Sequence, residues 1–146
     1  TALDAGASGF SGMVLPALEA GRALAARDYI DALKLRERVC ADLDAGLAGV
    51  DALILPTSAV LPPLRGQEQI DVEGGRTSVR EAGLGQTLPF SLCGLPTLTL
   101  PVGLVEGLPM GLQAVGRRGA DAALLALGRW LEATVGVTPM PPEDDY

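Results

Sequence analysis

The chain has 146 residues, of which 48% are apolar and only 3% aromatic, so one domain with a core of Leu, Ala and Val is expected. This composition excludes disorder over most of the length. The net charge of −7, carried by acids spread along the chain, argues against a nucleic-acid surface, which needs clustered Lys and Arg.

Residues 1–12 are small and rich in Gly and Ser and read as a loop. Ser8 and Ser11 are flanked by glycines there, but the G-x-S-x-G pattern is not met and no strand precedes either. A first helix is expected over 13–24, interrupted near Gly21, and a longer one over 27–46. Asp28 and Asp31 suit the positive end of that second helix, and Gly46 and Gly49 suit its stop. At 100° per residue, Tyr29, Leu33, Cys40, Leu43 and Leu47 share one face, with Arg36 in its middle. An Arg there either snorkels to water or clamps a buried partner, and an architectural clamp is the expectation.

Residues 50–57, VDALILPT, follow as a continuous apolar strand ended by Pro56. Such a run suggests a strand buried on both faces of a mostly parallel or mixed sheet. Residues 61–86 look least ordered, apart from a small exposed hairpin on a Gly74-Gly75 turn, which is either a lid or a surface insertion. Two further apolar runs, 97–102 and 110–115, have strand length and are bounded by Gly or Pro. Pro96 and Pro101 are expected at strand ends, where a missing N–H does least harm, and 103–109 has the make-up of a hairpin connection. Asp121 is a plausible N-cap for a helix over 122–134 with Leu124, Leu127, Leu131 and Val135 on its inner stripe. Residues 138–146 form a Pro-rich acidic tail.

Histidine is absent, which excludes a Ser-His-Asp triad, a Cys-His pair and a His-based zinc site within this chain. No P-loop or dinucleotide fingerprint occurs. Cys40 and Cys93 lack metal spacing and sit in apolar settings, so buried free thiols are expected and a reduced cytoplasmic compartment fits. No apolar run reaches about 18 residues, so no membrane span is expected. Thr1 is not followed by a signal-peptide pattern, and the chain reads as a piece of something longer or a processed product.

Residues 90–96, FSLCGLP, then 100–103, LPVG, then 107–113, GLPMGLQ, resemble the C-terminal part of the amidase signature family. That family shows an N-L-x-G-L-P segment, an apolar strand ending in P-x-G, and G-L-P-x-G-L-Q. Ser91 stands in place of the first Asn, and the other landmarks are present. Residues 29–36 and 51–57 also resemble the family's d-Y-x-x-A-x-x-x-R helix and D-v-L-l-x-P-T strand, so the likeness covers most of the chain.

The resemblance implies an α/β fold, a mixed β-sheet covered by helices, with residues 1–146 forming the C-terminal part of that domain. It implies a hydrolase of linear carboxamides or urea-type amides, without a cofactor. A serine nucleophile is activated there through a second serine and a lysine, and backbone amides of a Gly/Ser-rich loop hold the oxyanion. The loop and the lysine belong to the family's N-terminal half. Lys34, the one lysine of this chain, does not match the catalytic lysine's context, so no catalytic residue is assigned here.

Thr87, Phe90 and Ser91, which lead into the central hairpin, are the expected substrate-binding residues. Members that amidate tRNA-bound glutamate usually carry an acid shortly before the position of Thr87. Leu84-Gly85-Gln86 stand there, which favours a stand-alone amidase over an amidotransferase part. The expected partners are a small-molecule amide, the N-terminal half of the same enzyme, or a second copy of this chain; a non-catalytic binding module is the alternative.

Overall fold

The computed structural model describes Phe10 and residues 14–136. The glycine-rich loop with Ser8 and Ser11 and the acidic tail lie outside the described residues. The chain divides into two compact units, Thr1–Arg38 and Val39–Tyr146.

In the first unit, helix α1 (Leu15–Arg22) opens with Pro16 in its first turn, where a missing N–H costs nothing, and carries Arg22 in its last. Helix α2 (Ala26–Gly46) begins in this unit with Asp28 in its first turn, close to the expected start, and its residues from Val39 onward belong to the second unit. Lys34 Nζ lies 3.3 Å from Asp31 Oδ1 in an exposed pair one turn apart. Tyr29 and Leu33 are exposed, and so is Arg36. Further along that face Cys40 and Leu43 are half-buried and Leu47 is buried, so it is the first half of the face, with Arg36, that is exposed. This corrects the expectation of a desolvated Arg36 clamp.

In the second unit, strands β1 (Leu53–Pro56), β4 (Thr97–Val105) and β5 (Leu108–Val115) form a sheet in the order β1-β5-β4. Both pairings are antiparallel. Val115 faces Leu53 on one side and Thr97 on the other, so β5 is the central strand. Successive residues of a strand point to opposite faces, and the two cores follow from that. Val115 joins Leu47, Phe90, Cys93 and Leu95, with Val39, Cys40, Leu43 and Leu55 packed around them. Ala114 joins Leu100, Leu124 and Leu131, with Ala52, Leu98, Val102 and Leu127 at the margin. Helix α5 (Asp121–Val135) supplies Leu124 and Leu131 to the second core. It can lie close because Gly128 has no side chain: a Cβ there would overlap Leu98. Helices thus cover both faces of the sheet, the α/β arrangement expected.

The hairpin is tighter than 103–109. Glu106 and Gly107 have φ of 54° and 79°, which makes a two-residue turn between longer strands. Pro101 is not at a strand end. It sits at a register shift between Pro101 and Gly103, where a bulge absorbs its missing ladder bond. Strand β1 is not buried on both faces: Leu53 and Ile54 are 42% and 47% exposed. It pairs antiparallel along one side only, at an edge of the sheet.

Cys40 and Cys93 are not free thiols. They are paired as a disulfide, with Cα atoms 5.2 Å apart. Spacing along the chain hides such a pair, because 53 residues separate them. A reduced compartment inferred from free thiols loses its basis with this pairing. Among the described residues, no helix is long and apolar enough to cross a membrane.

Candidate functional site

Residues 61–93 hold more regular structure than their composition suggests. Strands β2 (Gln69–Val72) and β3 (Gly75–Ser78) form the expected hairpin, but the turn is Glu73-Gly74 and Gly75 already pairs with Val72. Helix α3 (Val79–Leu84) starts at once. Its Ser78 N-cap accepts from the Glu81 N–H at 3.1 Å, while Glu81 Oε2 accepts from the Ser78 N–H at 3.2 Å. The same Glu81 oxygen accepts from Thr77 Oγ1 at 2.7 Å and Ser78 Oγ at 2.8 Å. The Thr77 bond first, then those from Ser78, hold the Glu81 carboxyl below the usual carboxylate range. This capping box is legible as Ser78-Val79-Arg80-Glu81 once a helix is suspected.

Helix α4 (Leu88–Cys93) follows, with Pro89 in its first turn and Gly94 closing it at φ 65°. The Leu95 N–H donates to the Phe90 carbonyl at 3.0 Å across that close. The segment leading into the central hairpin is therefore a short helix, and this decides where its three candidate residues go. Thr87 Oγ1 donates to the Leu84 carbonyl at 3.3 Å, tying α4 to the end of α3. Phe90 is 5% exposed and packs in the first core. Ser91 is exposed, one turn beyond Thr87 on the outer side. The structure thus leaves Thr87 half-buried and Ser91 exposed and buries Phe90 in the first core, where it anchors the helix.

Around them, α3 and α4 form an apolar corner. Leu84 at the end of α3 and Leu88 and Leu92, one turn apart on α4, are all exposed. A cleft of about 410 Å³ opens there, lined by Ser78, Arg80, Glu81, Leu84, Gly85 and Leu88. The Ser78 hydroxyl, the Arg80 guanidinium and the Glu81 carboxylate meet two leucines in it, which suits a molecule with an apolar body and a polar end. The corner contains neither histidine, which the chain lacks, nor lysine, since the chain's one lysine is Lys34, and the hydroxyls of Thr77 and Ser78 are engaged with Glu81 in the capping box. Among the described residues no group of His, Cys, Asp or Glu could hold a metal ion.

Sequence reasoning singled out the GLPMGLQ run but assigned nothing to its last residue. Gln113 is 2% exposed on the central strand. Its Nε2 donates to the Gln86 carbonyl, 2.9 Å away and 27 residues earlier, at the approach to α4.

The amidase family profile matches residues 7–125. The chain belongs to the amidase, or amidase signature, family. A crystal structure described as an amidase is 51% identical, with a TM-score of 0.82 over 92% of this chain and 31% of that one. A glutamyl-tRNA(Gln) amidotransferase subunit of Archaeoglobus fulgidus is 35% identical over 108 residues, covering 74% of this chain and 22% of that protein. The fatty acid amide hydrolase of Medicago truncatula is 31% identical over 124 residues, 83% of this chain and 20% of its own length. The chain spans about a fifth of the length of these two relatives.

Proposed function

We propose that this chain is the C-terminal part of an amidohydrolase that cleaves a linear carboxamide or urea-type amide, with its α3–α4 corner forming one wall of the substrate pocket. The observation that carries this is the exposure of Leu84 at the end of α3 and of Leu88 and Leu92 on α4, close in the chain to Thr87 and Ser91. Apolar surface of this kind calls for an occupant. Thr87 and Ser91 supply hydroxyls at its edge, and Phe90 holds the helix from behind.

In this reading the chemistry is acyl transfer by a Ser-Ser-Lys set outside the chain. A base takes the nucleophile's proton, and aligned N–H groups bear the tetrahedral charge. The N-terminal half of the same enzyme supplies those groups. The chain alone is inactive against amides.

A role as part of an amidotransferase is the second reading. The names of relatives such as the Archaeoglobus fulgidus protein favour it. Leu84, Gly85 and Gln86 oppose it, because none carries a carboxylate to pair with the charged amino group of glutamine.

The test is the complete enzyme assayed against amides of rising apolar bulk, beside Leu88→Asp. Leu88 is 56% exposed, so the variant folds. KM for the bulkiest amide is expected to rise about tenfold or more, with acetamide little affected, since a buried carboxylate must be desolvated. Equal kinetics for both enzymes on every substrate would remove the corner from the pocket. Turnover by the 146-residue chain alone would remove the claim that its catalytic groups lie elsewhere.

A further inference from the structure

Gln113 is the one buried polar or charged residue in the described core. A polar side chain in that position is costly unless bonded, and an apolar one would suit the neighbouring Val115 cluster better. What the amide gains is its reach to the Gln86 carbonyl at 2.9 Å. That carbonyl sits between the end of α3 and the start of α4. At the far end of α4, Arg118 Nη1 donates to the carbonyl of Cys93, the helix's last residue. Arg118 Nη2 in turn lies 3.4 Å from Asp44 Oδ2. Helix α4 has six residues, too few to hold its own conformation in water. It is bonded from β5 ahead of its first residue and, at its last, from Arg118, three residues beyond the end of that strand.

We propose that Gln113 and Arg118 are positioning residues, which fix α4 from its two ends and so set where Leu88 and Ser91 stand relative to the sheet. The proposal rests on the substrate-wall reading above. It adds that the precision of that wall comes from two side chains that do not themselves face the substrate. Gln113 acts from the rigid centre of the sheet, where its neighbours Ala114 and Val115 are almost completely buried. Arg118 acts from the surface, half exposed, and its hold is the weaker of the two.

The experiment uses the complete enzyme with Gln113→Met and Arg118→Met, which remove the donors and keep apolar length. Hydrogen exchange is followed in peptides covering 84–96, and kcat and KM are measured for a bulky apolar amide and for acetamide. Exchange over α4 is expected to quicken about tenfold in Gln113→Met and less in Arg118→Met, as loss of one buried bond allows. KM for the bulky amide rises about tenfold, while kcat per active site and KM for acetamide stay within about twofold.

Unchanged exchange over α4 in both variants would overturn the proposal. So would equal losses on both substrates, the signature of a general weakening of the fold. Should Gln113→Met fail to fold, Arg118→Met decides by the same readings. A wild-type enzyme inactive on every amide would sink the amidase reading, while the exchange data would still judge whether α4 is held in this way.

Discussion

Strands β5 and β1 are neighbours in one sheet and look alike as sequence, yet they end up in opposite settings. Both are short apolar runs interrupted or ended by proline. In β5, Gln113, Ala114 and Val115 are at most 2% exposed. In β1, Leu53 and Ile54, which face Val115 and Ala114 directly, are more than 40% exposed. The difference is position. β5 has a strand on each side and helical cover on each face, whereas β1 is an edge. An apolar run records the burial a strand has in its whole protein. This chain spans 31% of an amidase that it resembles closely in structure. On the proposed reading, the mismatch at β1 marks where the rest of the enzyme packs.

The cross-link between Cys40 and Cys93 gives the largest effect on the well-buried side. Closing a loop of 53 residues stabilises by about 4 kcal/mol in the chain-entropy account. Cys40→Ser with Cys93→Ser is expected to lower the denaturant midpoint accordingly, and a dithiol reductant to do the same to the wild type. No shift with either would mean that the pair is not formed in solution.

The contrast between the strands is broken or sharpened by a matched pair of truncations. Leu124→Ala, on the α5 side of β5, is expected to cost about 3 kcal/mol. Ile54→Ala on β1 is expected to cost less than about 1 kcal/mol in this chain. In the complete enzyme the Ile54 cost should rise towards that of Leu124. Gly111→Ala lies between these, at about 2 kcal/mol, because the new methyl would sit 2.7 Å from Thr57 Oγ1 and 3.0 Å from Thr99 Cγ2.

Ser78→Ala is also a small effect, about 1 kcal/mol near neutral pH for the lost N-cap. Glu81 supplies its sign with pH. Its carboxyl titrates below the ordinary range in the folded chain, so its contribution is present above the unfolded value and disappears as pH falls through the folded one. The gap between wild type and Ser78→Ala is expected to narrow in acid, as read from melts across that range.

The parts of the fold legible in the sequence were those with long or strongly punctuated signals. Helix α2 shows its 3.6-residue period over 21 residues, and the β4–β5 hairpin is bracketed by glycines and prolines. Helices α3 and α4 have six residues each, less than two turns, so no periodicity can build up. Only their caps announce them: Ser78 with Glu81, and Pro89 with Gly94. The β2–β3 turn was legible to within one residue, since Gly74 and Gly75 both tolerate the conformation. The candidate site was legible as a segment. Its inside and outside were not, because assigning Phe90 inward and Ser91 outward requires knowing that the segment is helical. The Cys40–Cys93 pair and the reach of Gln113 to Gln86 are contacts across the fold, which no local pattern displays.

The central claim is that this chain is one part of a larger amidase, with an open edge at β1 and apolar surface that other polypeptide covers. Light scattering on the purified 146-residue chain, over a wide concentration range and alongside binding of a hydrophobic dye, tests it most directly. Unpaired strand edges and exposed leucines predict association that grows with concentration, strong dye binding, and reversal of both when the N-terminal part is added. A monodisperse monomer at high concentration, with a cooperative melt and little dye bound, would show that the 146 residues close their own core and would contradict the account.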